Sequence, residues 1–239
     1  MNTVKFNKGI VKMVAHRGVS GLECENTAAA FIAAGNRSYF GIETDTHTTS
    51  DGNFIVIHDA NTERVSGISK NVEELPLEAL DDVRLFDREA GVTRRDLAIP
   101  TLEEYLRICK RYEKVAVLEL KTQGDEEMLS GIAKIVSDVG HSDMTVYISF
   151  SKTNVILMRK LCPEAKIQFL TSKWEDSLLD WLKENKLDLD IHHAAVTKEL
   201  VDLIHENGME INCWTVNEAE RGEELAAMGV DYITTNILE

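Results

Sequence analysis

Three acidic residues stand where acidic residues are costly. Glu43 and Asp45 lie two apart in the run Gly41-Ile42-Glu43-Thr44-Asp45, and Glu119 interrupts the apolar run 115–120. A charged group inside a short apolar strand is expensive unless it is paired or bound to metal. Period-two alternation puts the Glu43 and Asp45 carboxylates on one face. Their repulsion pushes a proton onto one of them unless a cation sits between. Glu119, on a neighbouring parallel strand, reaches the same point. Three converging carboxylates suit one hard divalent cation, Mg2+ or Ca2+, better than Zn2+. The alternative is an ionic network without metal, in which Glu43 pairs with Arg17 or Lys121.

Two histidines follow β-like runs. His16 comes after the run 11–15, and His58 after the run 54–57. An acid and a base on opposite sides of a metal are what hydrolysis or transesterification of an ester needs. Arg17 offers a fork of donors to a phosphate, and Lys121 a point charge. Other residues are more ambiguous. His47 shares a strand face with Glu43 and Asp45 and reads as a hydrogen-bonding group more than a ligand. His192 and His193 either touch substrate or form an exposed loop pair. Phe150 either packs on a substrate tail or joins a core. Trp174 and Trp181 flank a helical run and anchor it. The acids from Glu73-Glu74 to Asp81-Asp82 read as a solvated face.

Short β-branched runs alternate with longer amphipathic ones along the chain. Strand patterns fall at 11–15, 39–46, 115–120, 145–150, 166–170, 187–191, 210–216 and 231–235. Helical patterns fall at 27–34, 102–112, 125–139, 154–161, 177–186, 198–207 and 218–228. Caps and stops support them: Asn26 or Thr27 before the first, Thr101 with Glu104 as a capping box, and Gly35, Gly140, Gly208 and Gly229 as ends. Residues 54–57 form an extra arm behind the hairpin signal Asp51-Gly52. Residues 60–100 break the rhythm, carry Pro76 and Pro100, and hold short helical patterns around 72–74 and 77–86. Eight β-then-α units make an α/β chain, a (β/α)8 barrel with an insertion at 60–100 after the second strand. On that fold the strand C-termini build the active face, and His16, Glu43, Asp45, Glu119, Lys121 and Trp214 all stand at such ends. An open doubly wound sheet is the rival, but no G-x-G-x-x-G follows the first strand.

Composition narrows the partners. The chain has 239 residues, with 26 Lys+Arg against 41 Asp+Glu and a net charge of −15. Such acidity argues against a nucleic-acid binder and against polybasic attachment to a membrane. No apolar run approaches a membrane span. Residues 1–12 lack the apolar core of a signal peptide, and Cys24, Cys109, Cys162 and Cys213 have no C-x-x-C spacing. These signs point to free thiols and a cytoplasmic chain. The oligomeric state is left open.

The ordered blocks resemble one family, the glycerophosphodiester phosphodiesterases, which are TIM-barrel enzymes. Val14-Ala15-His16-Arg17-Gly18, Glu25-Asn26-Thr27, Gly41-Ile42-Glu43-Thr44-Asp45, Asp51-Gly52 and Ile57-His58-Asp59 come first. Ile99-Pro100-Thr101-Leu102-Glu103-Glu104, Leu118-Glu119-Leu120-Lys121, Cys213-Trp214-Thr215-Val216-Asn217 and Gly229-Val230-Asp231-Tyr232-Ile233 follow. The resemblance covers nearly the whole chain and implies a single domain, 1–239, whose 60–100 segment caps the active site. It implies Glu43, Asp45 and Glu119 as metal ligands, His16 and His58 as the acid–base pair, and Arg17 and Lys121 on the phosphate. It also implies Trp214 as a wall of the substrate pocket, with Glu25 and Asn26 in support. Two positions depart from the family pattern: Cys24 replaces a usual Pro, and Asn236 stands where Asp is frequent. The implied reaction converts a glycerophosphodiester to sn-glycerol 3-phosphate and an alcohol. Attack is by water or by the glycerol hydroxyl, with His58 favoured as the acid. The alternatives are a lysophospholipase D acting on lysophospholipids, a metal-dependent sugar isomerase on the same barrel, and a non-catalytic sensor of glycerophosphodiesters. Hydrolysis leads because both histidines and all three carboxylates are present.

Overall fold

The computed structural model describes residues 2–87 and 92–239; residues 88–91 of the expected insertion lie outside them. The first half runs β1 (Lys12–Ala15), α1 (Ala28–Gly35), β2 (Gly41–Thr48), β3 (Phe54–Val56), α2 (Glu63–Ser66) and α3 (Leu102–Arg111). Then come β4 (Val115–Leu120), α4 (Glu126–Val139), β5 (Thr145–Ser149), α5 (Lys152–Leu161), β6 (Lys166–Thr171) and α6 (Ser177–Glu184). The chain closes with β7 (Asp188–His192), α7 (Lys198–Glu206), β8 (Ile211–Trp214), α8 (Ala219–Met228) and β9 (Tyr232–Thr235).

Among the described residues, eight of the nine strands form a closed parallel ring. The order is β1-β9-β8-β7-β6-β5-β4-β2, and pairing of Val14 with Gly41 and Ala15 with Ile42 shuts it. β3 hangs outside the ring as an antiparallel arm on β2, with Thr46 opposite Val56. This is the (β/α)8 barrel that the alternation predicts. The strands read as near-continuous apolar runs because both faces are covered. Inward residues such as Val14, Val117, Val146, Ile148 and Leu170 fill the ring. Outward ones such as Met13, Ile42, Leu118 and Ile211 pack under the helices with Phe31 and Leu106.

The helices begin where side chains satisfy their first N–H groups. Thr27, Asp125, Ser151 and Thr197 each accept from the backbone three residues on, and Thr101 with Glu104 forms a complete capping box. Gly140 and Gly229 end α4 and α8 in the left-handed conformation. Gly35 differs from its expected role as a stop. It is the last residue of α1, with Asn36 as the cap, and a Cβ there would lie 2.5 Å from the ring of Tyr112. Its small size serves helix packing, not termination.

The segment after β3 builds its own small apolar cluster. Val65, Val72, Leu80, Val83, Leu85 and Leu97 pack with Ile55 and Ile57. Two 3-10 turns occur, Val72–Glu74 and Leu77–Leu80. The expected helical stretch 77–86 stops at Leu80, and further on the amides of Leu85 and Phe86 find distant partners. Leu85 N–H donates to Leu97 and Phe86 N–H to Val65, so the chain runs extended across the cluster. Among the described residues no helix is long and apolar enough to cross a membrane. All four cysteines are free thiols.

Tyr105 of α3 connects the outer layer to the two strands that carry the acids. Its hydroxyl is buried and donates to the Ile42 carbonyl at 2.7 Å, with the Val117 carbonyl 3.4 Å away. Phe31 packs edge-on against its ring at 4.9 Å. Tyr105→Phe keeps the ring and removes only the donor. It is expected to lower unfolding stability by about 1–2 kcal/mol in chemical denaturation; unchanged stability would show that the hydroxyl contributes nothing.

Candidate active site

The strand C-termini bring most of the predicted residues around one pocket. His16, Arg17, Glu43, His58, Glu119, Lys121 and Trp214 line a cavity of about 100 Å3, with Phe150 and Leu170 on its apolar side. A larger groove of about 840 Å3 lies at the opposite end of the barrel, around Lys12, Phe40, Lys166 and Tyr232. The predicted acid–base and phosphate-binding residues are all at the smaller one, so chemistry and not volume identifies the site.

The loop after β1 delivers the first two groups. Arg17 and Gly18 both have positive φ, 52° and 75°, so the backbone reverses sharply at the strand end. Gly18 is required there: a Cβ would come within 2.6 Å of the Ala30 Cβ on α1. The turn aims the Arg17 amide at Glu43 Oε2, at 2.8 Å. Glu25 accepts from Arg17 Nη1 at 2.9 Å, and Asn26 donates to Asp45 Oδ2 at 2.9 Å. Asn26 in turn accepts from Thr44 at 2.6 Å. Glu25 and Asn26 therefore stand outside the pocket lining and hold groups that face it.

The three acids converge as their spacing predicts. Glu43, Asp45 and Glu119 are all buried, and one carboxylate oxygen of each lies within 4.8 Å of the others. Register explains this, because Asp45 stands directly beside Glu119 on β4. Arg17 Nε approaches Asp45 at 3.4 Å, while Lys121 approaches Glu119 at 3.2 Å and Asp45 at 3.6 Å. The ionic network is thus present, but it favours Asp45 and Glu119. Glu43 is left with the Arg17 amide and a distant His16 ring nitrogen at 3.9 Å.

Electrostatics follow from this geometry. Burial, then the charge of Asp45, pushes the Glu43 carboxyl well above its ordinary range. Burial and Asp45 likewise raise Glu119 to about 7, against the pull of Lys121. Burial would also raise Asp45, but Arg17, Lys121 and His58 outweigh it and hold that carboxyl down. Two of three clustered carboxylates that resist ionisation, in an all-oxygen donor set, are complementary to a divalent cation. The donor set fits such an ion.

The two histidines differ in their surroundings. His16 Nδ1 meets Asn236 Oδ1 at 2.7 Å, and Ser20 Oγ donates to the same oxygen at 2.9 Å. That oxygen is an acceptor, so Nδ1 carries the proton and Nε2 presents a lone pair. Burial, then the Arg17 charge, lowers the His16 pKa to about 4. His58 Nδ1 meets Asp59 Oδ1 at 2.6 Å. Burial also lowers the His58 pKa, though Asp45 and Asp59 oppose it. Burial would raise Asp59, but Arg64 and His58 pull it down to about 2, so it is a permanent anion beside His58 at neutral pH.

Several functional neighbours escaped sequence reasoning. Asn236 was visible as a departure from pattern, but its contact with His16 spans 220 residues. Arg64 bridges Asp59 at 2.5 Å and Glu25 at 2.8 Å, joining the loop after β3 to the loop after β1. Asp190 lies buried in β7 and lines the pocket; burial and then Glu119 push its carboxyl well up. The rule that singled out Glu43 and Glu119, an acid inside a short apolar strand, applies equally to Asp190. Glu73 corrects the expectation of a solvated face: it is half-buried and accepts from His47 Nδ1 at 2.8 Å and Thr122 at 2.6 Å. His47 also meets the His58 carbonyl at 3.1 Å, so it hydrogen-bonds as expected. Phe150 is exposed at the rim, edge-on to Trp214 at 5.6 Å, and His192 packs on the same indole at 5.2 Å. Trp181 packs on Phe169 and anchors α6.

The chain is similar to known proteins over nearly its whole length. Residues 16–239 match the model of the glycerophosphoryl diester phosphodiesterase family. A glycerophosphodiester phosphodiesterase of Bacillus altitudinis is 30% identical over 242 residues, covering 95% of each chain. A crystal structure of a glycerophosphodiester phosphodiesterase from Parabacteroides distasonis is 27% identical, with a TM-score of 0.79 over 98% of this chain and 94% of that one. The fold is also that of an Oleispira antarctica phosphodiesterase solved with sn-glycerol 3-phosphate, at 23% identity and a TM-score of 0.87 over 98% and 96% of the two chains.

The raised carboxyl of Glu119 has a measurable consequence in metal-free protein. Its folded value of about 7 exceeds the ordinary 4.5, so its favourable contribution is complete below 4.5 and lost as pH rises through 7. Glu119→Gln lacks this loss. The stability gained by the variant over the wild type is expected to widen between pH 4.5 and 7. Added Mg2+ or Ca2+ is expected to raise the melting temperature of the wild type and not of the variant. A wild-type melting temperature indifferent to both ions would remove the cation from the site.

Proposed function

The chain belongs to the glycerophosphoryl diester phosphodiesterase family and is a phosphodiester hydrolase; from that premise we propose that it hydrolyses glycerophosphodiesters to sn-glycerol 3-phosphate and an alcohol. The observation that carries the reading is the unequal pair of histidines at the three-carboxylate centre. One has its pKa lowered to about 4 with a bare nitrogen toward the site, and the other is backed by an anionic carboxylate. Ester cleavage requires a base and an acid, and the Asp59 anion is the group that favours the protonated form of His58 against its burial.

In this reading Glu43, Asp45 and Glu119 hold one divalent cation, Mg2+ or Ca2+. When bound, it neutralises the carboxylates and polarises a phosphoryl oxygen. Arg17 and Lys121, already placed beside Asp45, then offer their charge to the phosphodiester. His16 Nε2 accepts the proton of the attacking hydroxyl. Asn236 keeps the ring in the tautomer that makes this possible. His58 Nε2 gives its proton to the departing alcohol oxygen, and Asp59 stabilises the charged imidazolium before transfer. Trp214 walls the pocket, and Glu25 and Asn26 keep Arg17 and Asp45 in place. We read residues 1–239 as one domain with 60–100 as a cap over the site, and the protein as cytoplasmic. The Arg64 bridge between Glu25 and Asp59 supports the cap, since it ties that segment to both loops bearing the histidines.

The test is a panel of glycerophosphodiesters scored for sn-glycerol 3-phosphate, with and without EDTA, and with lysophosphatidylcholine beside glycerophosphocholine. Turnover of glycerophosphocholine, lost on chelation and restored by a divalent cation, is expected. His16→Ala and His58→Ala are each expected to lose at least ~10²-fold in rate. Wild-type turnover by either variant refutes the pair.

Asp59→Asn separates the two roles. His58 acts as an acid only while protonated, and the Asp59 anion favours that form. The variant is therefore expected to move the alkaline limb of the pH–rate profile to lower pH. His16 stays unprotonated down to about 4, so it sets no acid limb near neutrality. An alkaline limb unmoved by Asp59→Asn would assign the acid elsewhere.

A further inference from the structure

The main chain leaves the sheet just before His58. Pairing of β3 with β2 ends at Val56, and Ile57 N–H makes one more bond, to the Asp45 carbonyl at 3.0 Å. Past that point a side chain takes over: His47 Nε2 meets the His58 carbonyl at 3.1 Å. His47 is 5% exposed, and its Nδ1 meets Glu73 Oε1 at 2.8 Å. Both partners are acceptors, so the ring donates at each end and is pinned between them. Glu73 is itself placed from two sides. Val72 beside it is buried in the cluster of the segment after β3, and Thr122, next to Lys121, donates to the same Oε1 at 2.6 Å. A continuous chain of hydrogen bonds therefore runs from the end of β4 through Glu73 and His47 to the main chain of His58.

Stability alone does not ask for a histidine at this place. The β3 arm is already held by its ladder with β2 and by Val56 N–H, which donates to the Pro100 carbonyl at 2.9 Å. A buried polar ring costs desolvation that an apolar side chain does not. What the ring adds is a fixed position for the residue that follows the arm. Asp59 meets His58 Nδ1 at 2.6 Å and sets the rotation of that ring, but not the place of the main chain that bears it. His47 sets the latter. It stands on β2, the strand that also carries Glu43 and Asp45, so one strand locates both the carboxylates and His58.

We propose that His47 is a positioning residue for proton donation: through the His58 carbonyl it fixes the reach of the His58 ring to the departing alcohol oxygen, and Glu73 of the segment after β3 holds it in that task. The inference rests on the reading of His58 as the acid. A misplacement of about 1 Å can cost about 10²-fold in rate, so a bond that fixes the bearing main chain acts on kcat more than on binding. The effect falls on one step only, because a proton donor matters in proportion to how badly the leaving group needs a proton.

The experiment compares two substrates that differ in that need. Choline leaves glycerophosphocholine only with a proton, whereas p-nitrophenol leaves the p-nitrophenyl ester of glycerol 3-phosphate as a stable anion. His58→Ala is the reference, and is expected to lose at least ~10-fold more kcat on the choline substrate than on the p-nitrophenyl one. His47→Asn has an amide that reaches Glu73 but not His58, and is expected to show the same selective loss of kcat with KM little changed. His47→Gln carries its amide out to the place of Nε2 and is expected to recover most of the loss. Glu73→Ala is expected to repeat the pattern in smaller degree, and it carries the test should the His47 variants fail to fold. A merely structural His47 depresses both substrates alike. Equal losses in the His47 and Glu73 variants, or none, beside a selective His58→Ala overturn the positioning role and leave the acid in place. A His47→Gln as impaired as His47→Asn overturns it as well. A His58→Ala that loses equally on both substrates overturns the acid itself, and the inference with it.

Discussion

The structure is organised around a repulsion. Glu43, Asp45 and Glu119 crowd buried carboxylates within 4.8 Å of one another. Such a cluster is unstable as three anions in a medium that screens poorly. The protein answers with charge placed by the backbone. Arg17 arrives on a left-handed turn that only the following glycine makes sterically possible, and Lys121 stands two residues after Glu119, just past the end of β4. Arg17 leans toward Asp45 and Lys121 toward Glu119 and Asp45, so the unanswered part of the repulsion falls chiefly on Glu43. A centre balanced in this way has a built-in demand for one more positive charge, which is what an oxygen-ligated divalent cation supplies.

That demand explains why the surroundings are so heavily braced. Tyr105 holds the two strands that carry the acids from behind, and Asn26 holds Asp45 from the side. Arg64 links the β1 and β3 loops through Glu25 and Asp59. The His47–Glu73–Thr122 chain links the segment after β3 to the ends of β2 and β4. Each brace crosses between elements far apart in sequence, so displacement of one loop is resisted by the others. Preorganisation of this kind is the usual source of catalytic power when charge develops at a fixed point.

The fold was legible in the sequence because periodicity and caps act locally. Thr101 with Glu104, Asp125 before α4 and Gly140 after it each declare a helix end within a few residues. The acids were legible for a different reason: an ionisable group in an apolar strand contradicts its own context. What stayed hidden were partnerships. The contact of His16 with Asn236 depends on β1 and β9 closing the ring, and no local pattern encodes a hydrogen bond across it. The insertion was misread for the same reason. Its residues 77–86 carry a helical pattern, yet the Leu85 and Phe86 amides are claimed by Leu97 and Val65 across a small cluster that only the tertiary fold assembles. Asp190 obeyed the rule that exposed Glu119 and was passed over because its strand is short and polar at both ends.

A chain of net charge −15 that binds an anionic diester looks self-defeating, but distance resolves it. Solvent-exposed charges more than a Debye length of about 8 Å from the site are largely screened at physiological ionic strength. Inside the barrel mouth screening is weak, so the groups that count are those lining the pocket. There the three acids face Arg17, Lys121 and two histidines, and a divalent cation on the acids turns the local sign from negative to positive. Such a cation would both let the carboxylates share their volume and favour an anionic substrate. Global acidity therefore does not oppose binding, because the local field at the barrel mouth and not the total charge meets the phosphodiester.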